Sequence, residues 1–144
     1  MTASPVETPD LIPIAREVRL AAQSLARYVK DHTLSLAPHL FTVLAWLEKG
    51  PATAGELAAR ERVSAPSMSK SVSELEERGC VKRALAPHDA RQKIVSLTAK
   101  GRRALQRGRA DRDRYTAALL VHFTPEELAD LQRVAQLFRK LVEQ

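Results

Sequence analysis

TAGELAARERVSAPSMSKSVSELEERG, residues 53–79, decides how this chain is read. Thr53 and Glu56 stand at capping-box spacing. The threonine hydroxyl can accept the amide of residue 56 while the glutamate reaches back. The box opens a helix through Leu57 and Ala58 to about Glu61, only about nine residues long. Ser64 caps the next helix, with Pro66 in the first turn, where its missing N–H is harmless. That helix runs to about Arg78, and Gly79 supplies the stop. Two capped helices joined by a turn of about three residues form a helix-turn-helix.

The second of these helices sorts its side chains by face. On a helical wheel Ala65, Met68, Val72 and Leu75 fall within an arc of about 80°, which predicts the core side. Pro66, Ser67, Lys70, Ser73, Glu74 and Glu77 lie opposite. The N-terminal half of that face carries small hydroxyls and one cation, and its C-terminal half carries carboxylates that phosphates repel. The N-terminal turns are therefore expected to enter a DNA major groove. Lys70 can donate to guanine or to phosphate. Ser64, Pro66, Ser67, Ser69, Lys70 and Ser73 are the candidate readers, with Thr53 and Arg62 as phosphate contacts. An amphipathic helix with a solvated serine face gives the same pattern, and only the neighbouring elements favour DNA.

Downstream, Val81–Leu85 and Lys93–Leu97 read as two strands joined by the seven-residue loop 86–92. Arg83, Asp89, Arg91 and Lys93 are the candidate wing contacts. Arg91 at the hairpin tip suits a narrow minor groove, where the negative potential is enhanced. Asp89 is unwelcome near phosphate unless it orients Arg91 or braces the loop backbone. A solvated turn with a weak ion pair is the plain alternative.

Charge placement supports a polyanionic partner. The net charge is +6, and residues 60–103 hold eleven Lys/Arg against five Asp/Glu, while the remaining residues hold twelve of each. The whole surplus thus lies in one segment. Outside it, helical periodicity runs from Asp10 to about Lys30, from about Leu36 to Lys49, and from a Thr98 cap to about His122. A second capping box, Thr124 to Glu127, opens a last helix to about Val142. On that helix Leu128, Leu131, Val134, Ala135, Leu137, Phe138, Leu141 and Val142 spread over about 180°, wider than one core-facing stripe. One flank is expected to face a second copy of the chain. Residues 1–9 read as a flexible leader without signal-peptide character. With no apolar run of membrane length and one cysteine, a cytoplasmic protein without membrane association is expected.

At this point the chain resembles the MarR family of winged-helix regulators. Asp89-Ala-Arg91 followed by Leu97-Thr98-x-x-Gly101 is similar to the family's wing signature, and Leu75-Glu-x-x-Gly79-Cys-Val81 fits the helix-to-wing passage. Gln92 stands where many members carry a second arginine, and His39 where a glutamine is common. The resemblance implies a mostly α fold with a small β-hairpin wing (α+β), a winged helix-turn-helix with N- and C-terminal dimerisation helices. Residues 10–144 then form one domain, with 10–34 and 99–144 as dimerisation helices around a DNA-binding unit at 35–98. It further implies a homodimer on a palindromic double-stranded DNA operator, most often a repressor, released by a small-molecule or redox signal.

Other signals are weaker. Tyr28, His39, Phe41 and Trp46 are candidates for an effector pocket, though each also reads as ordinary core. Cys80 reads as a buried small hydrophobe, with a redox-sensing cysteine as the alternative. The four histidines lack metal-ligand spacing, and neither catalytic motif nor cofactor is expected. A winged helix used for sequence-independent DNA coating or for protein contact is the competing class.

Overall fold

In the computed structural model, residues 10–33 and 36–143 are described, so the leader 1–9 and Ser35 at the start of the second helix lie outside the described residues. The first helix, α1 (Leu11–His32), is capped by Asp10, whose carboxylate accepts from Ile12 N at 3.1 Å. The second, α2 (Pro38–Glu48), starts two residues later than periodicity suggested, because Pro38 sets its first turn. Gly50 at φ +153° and Pro51 end it. The helix-turn-helix follows as α3 (Ala54–Glu61) and α4 (Ala65–Glu77), with both bonds of the Thr53–Glu56 capping box formed.

Both helices of that pair end in the same way. After α4, Cys80 N donates to Leu75 O and Gly79 N to Glu76 O, each at 2.9 Å, with Gly79 at φ +73°. This is a Schellman stop, whose last residue packs back on the helix. Cys80 is that residue. It is 4% exposed beside the fully buried Leu75, as expected of a small hydrophobe. After α3, Val63 N donates to Ala58 O and Arg62 N to Ala59 O. Here the left-handed position is held by Arg62 at φ +53°, a conformation that disfavours any side chain.

The wing departs from expectation. Strand β1 (Ala52–Thr53), too short to read from sequence, joins β2 (Val81–Ala86) and β3 (Asp89–Leu97) in an antiparallel sheet of order β1-β3-β2. The strands run almost to the tip. The expected loop 86–92 shrinks to a Pro87–His88 turn, with Ala90, Arg91 and Gln92 bulging from β3 between the Leu85↔Lys93 and Ala86↔Asp89 pairs.

Helix α5 (Ala99–Leu119) leaves the wing under a Thr98 cap, and Leu120–His122 tighten into a 3-10 turn before α6 (Pro125–Val142). The first turn of α5 is bolted to the exit of α4. Thr98 Oγ1 donates to Gly79 O at 2.6 Å and accepts from Gly101 N, while Thr98 N donates to Cys80 O. A Cβ on Gly101 would lie 2.0 Å from the Cys80 carbonyl oxygen. Residues 98 and 101 therefore need threonine and glycine at this crossing, a physical reason for the LT-x-x-G pattern.

The core gathers Leu40, Val43, Leu44 and Leu47 of α2, Leu57 of α3, Met68, Val72 and Leu75 of α4, and Val81, Val95, Leu97 and Leu105 around them. Ala65, expected in this core, is exposed in the first turn of α4, directly after the Ser64 cap. Among the described residues no helix is long and apolar enough to cross a membrane.

Candidate nucleic-acid interface

Three elements converge on one concavity of about 420 Å3, lined by Thr53 and Gly55 from the start of α3, Ser69 from α4, and Arg83, Arg91 and Lys93 from the wing. Five of the residues singled out in the sequence thus meet at one surface. Three cations face hydroxyls and the amino end of a capped helix, an arrangement suited to a sugar-phosphate backbone.

The reading face of α4 is exposed at Pro66, Ser67, Ser69 and Lys70, with Ser73 half-buried. Ser64 Oγ accepts from Ser67 N at 3.2 Å and donates to Ser67 Oγ at 2.9 Å. Ser64 is therefore committed to the cap, while the Ser67 hydroxyl keeps its own proton for an outside acceptor. Towards the C-terminal end, Lys70, Ser73, Glu74, Glu77 and Arg78 line a second hollow, and Arg78 donates to Glu74 at 2.8 Å.

In the wing, Asp89 Oδ1 accepts from Arg91 N at 2.9 Å. Of the two expected roles it takes the backbone brace, holding the bulge, and the exposed Arg91 guanidinium is left outward of the protein's own ion pairs among the described residues. Arg83 behaves differently. Its Nη2 donates to Ser73 Oγ at 3.1 Å and its Nε lies 3.9 Å from Glu76 Oε2. It ties the wing to the recognition helix, a link that sequence reasoning missed because ten residues separate the partners. Thr53 Oγ1 accepts from Glu56 N in the capping box and keeps its proton for an outside acceptor, and Arg62 is exposed at the strained turn.

The four effector-pocket candidates do not share a cavity. Phe41 lines a groove with Val29, Lys30, Pro38, Thr42 and Arg112, where the Arg112 guanidinium lies 3.9 Å from the Phe41 ring centre. Trp46 faces elsewhere, with Lys49, Pro51 and Arg60, and donates to Glu61. Tyr28 lies tilted against His32 and Tyr115, at 4.2 and 6.1 Å between ring centres, and His39 is exposed. Helical spacing alone could not show that α2 turns Phe41 and Trp46 to different neighbours. The Tyr115 phenol is held above the usual range, first by its hydrogen bond with Tyr28.

Comparisons with known proteins agree with this geometry. The MarR family profile matches residues 35–92. An HTH-type transcriptional regulator of Mycobacterium tuberculosis is 32% identical over 136 residues, covering 91% of this chain and 94% of that protein. The chain belongs to the MarR family. Its fold is similar to that of the YusO protein from Bacillus subtilis, with a TM-score of 0.70 and 25% identity over 94% of this chain and 99% of that one. A variant of S. aureus MepR, solved bound to an oligodeoxyribonucleotide, has a TM-score of 0.64 at 18% identity, covering 90% and 96%. Proteins of this family are helix-turn-helix regulators of transcription that bind DNA, not enzymes. The MarR chain described here carries the family's winged helix intact, from α2 to the end of β3.

Proposed function

We propose that this MarR protein is a homodimeric repressor that binds a palindromic operator and is released by a small organic anion. The observation that carries the reading is the shared concavity of Thr53, Ser69, Arg83, Arg91 and Lys93 beside the exposed start of α4. In this reading Pro66, Ser67, Ser69, Lys70 and Ser73 face the bases, and Arg91 enters the minor groove. Lys93, Thr53 and Arg62 approach phosphates. Arg62 keeps a left-handed backbone that a glycine would adopt without strain, which favours a use for its side chain. Arg83 positions the wing.

The homodimer is supported by apolar faces of the first and last helices that nothing covers among the described residues. Leu11, Ile12 and Ile14 of α1 are 52–66% exposed, as are Leu137 and Leu141 of α6 at 55% and 58%. Isolated exposed leucines are ordinary, but two whole helix faces are not. The effector reading moves to the groove of Phe41, Lys30 and Arg112, whose two cations flank an aromatic floor. Cys80 is buried under the Schellman turn, which favours packing over redox sensing.

Competition in a gel shift tests the function. A duplex selected from a random pool should displace labelled operator about a thousandfold better than unrelated DNA. Equal displacement by both would turn the reading to sequence-independent coating.

A further inference from the structure

A different groove, of about 340 Å3, lies where the recognition helix meets α5. Its lining is Leu36, Arg78, Cys80, Lys100, Ala104 and Arg107, and it shares no residue with the concavity between α3, α4 and the wing. We propose that this groove is a second binding site, for a small organic phosphate ester. The charged head would lie among Arg78, Lys100 and Arg107, and the apolar body against Leu36, Cys80 and Ala104.

The placement follows from the fold. Lys100, Ala104 and Arg107 are spaced by four and three, so they share one face of α5. The Thr98–Gly79 and Gly101–Cys80 contacts hold the adjoining Gly101–Leu105–Gly108 face against the exit of α4, which leaves Lys100, Ala104 and Arg107 along the edge of that joint. Lys100 packs over Gly79. A side chain begun there would meet Lys100 Cδ at 3.6 Å and Nζ at 3.9 Å. The ammonium thus hovers over the turn whose preceding residue is Arg78.

Electrostatics separates a site from a solvated patch. The negative end of α4 answers about half a positive charge, and Glu74, 2.8 Å from Arg78, answers one more. Among the described residues no carboxylate lines the groove, and neither Lys100 nor Arg107 forms an ion pair. Three cations therefore exceed their local partners by about one and a half charges, close to the charge of a phosphate monoester. Two planar guanidinium forks and an ammonium also suit its three peripheral oxygens better than a carboxylate's two. The half-buried Leu36 and Ala104 and the buried thiol leave one wall apolar, which selects an ester over the free ion.

Cys80 makes the test direct. It is the chain's one cysteine and lines this groove at 4% exposure, so its slow alkylation by a neutral maleimide follows openings of this wall, and the binding heat reports occupancy directly. The whole protein is titrated with phenyl phosphate, without DNA, while alkylation and binding heat are followed. Saturable slowing of alkylation is expected, with inorganic phosphate weaker by about tenfold for want of the apolar body. Lys100→Gln with Arg107→Gln should weaken phenyl phosphate by about tenfold or more at unchanged melting temperature, while Arg107→Lys, which keeps the charge and loses the fork, should weaken it by less than the double variant does. No saturation by about 10 mM would overturn the site. So would equal binding by the double glutamine variant, or protection of Cys80 by a short duplex but not by phenyl phosphate. DNA binding by the wing does not enter any of these readings, so failure here leaves the operator reading untouched.

Discussion

The centre of the chain and its two ends are built on opposite principles. Between Leu40 and Leu105 nearly every apolar side chain on a core-facing position is buried, and the helices, turns and wing close on one another. Along the 22 residues of α1 only Val29 is buried, and along the 18 residues of α6 none is. Both end helices are amphipathic and well capped, so they are not failed helices. Among the described residues of one copy, nothing covers their apolar faces. In the homodimer proposed above, that contrast is between what one chain folds alone and what a second copy would cover.

The largest expected effect breaks that contrast at the ends. Leu137→Glu combined with Leu141→Glu should convert a dimer to a monomer in light scattering. Operator affinity should fall about a hundredfold, because the second half-site no longer binds in tandem. A monomeric wild type at micromolar concentration would refute the two-copy reading outright. Next comes the joint. Gly101→Ala must drive a methyl into the Cys80 carbonyl, and should destabilise the fold by about 3 kcal/mol in urea unfolding. An unchanged midpoint would show that α5 can slide from α4.

Within the central unit, Arg91 and Arg83 make the finer comparison. Arg91→Ala should weaken operator binding by about 1–3 kcal/mol and lower the salt slope by about one, as loss of a phosphate-groove cation requires. Lys70→Ala should weaken the specific operator by a similar amount and random DNA far less. Arg83→Ala should lose specificity with the salt slope intact, since its guanidinium serves Ser73 and Glu76. Arg83→Lys should restore part of it. A slope change equal to that of Arg91→Ala would make Arg83 a direct contact instead.

The smallest effect concerns the link from α2 to the stem. Arg109 donates to both Glu48 oxygens at 2.9 and 2.7 Å, and this bond, ahead of every other cause, holds the Glu48 carboxyl below its ordinary range. A lowered carboxyl stabilises the fold above its unfolded-state value and ceases to do so as pH falls through the folded one. The pair is exposed and screened, so Glu48→Gln should change the melting temperature only slightly, and only above the acidic range.

Much of this was legible in the residues. Thr53, Ser64, Gly79 and Thr124 mark helix ends by chemistry that acts within a few residues, and all four act as read. Asp89 announced a bracing role because a carboxylate beside phosphate needs one. What escaped depended on distance in the chain. A two-residue strand has no periodicity, so β1 was silent, and the bulge at 90–92 hid the true length of the wing strands. The Arg83–Ser73 bond and the separation of Phe41 from Trp46 are tertiary facts. Gly101 was visible only as part of a pattern, and its reason appeared once Cys80 O stood against it.

The most direct test of the central claim is hydroxyl-radical footprinting on a duplex selected from random sequence. Two equivalent halves should be protected, their centres about 10 base pairs or a multiple apart, each flanked by minor-groove protection that Arg91→Ala removes. A single asymmetric footprint, or protection that follows no sequence, would contradict a dimer reading DNA through α4 and the wing.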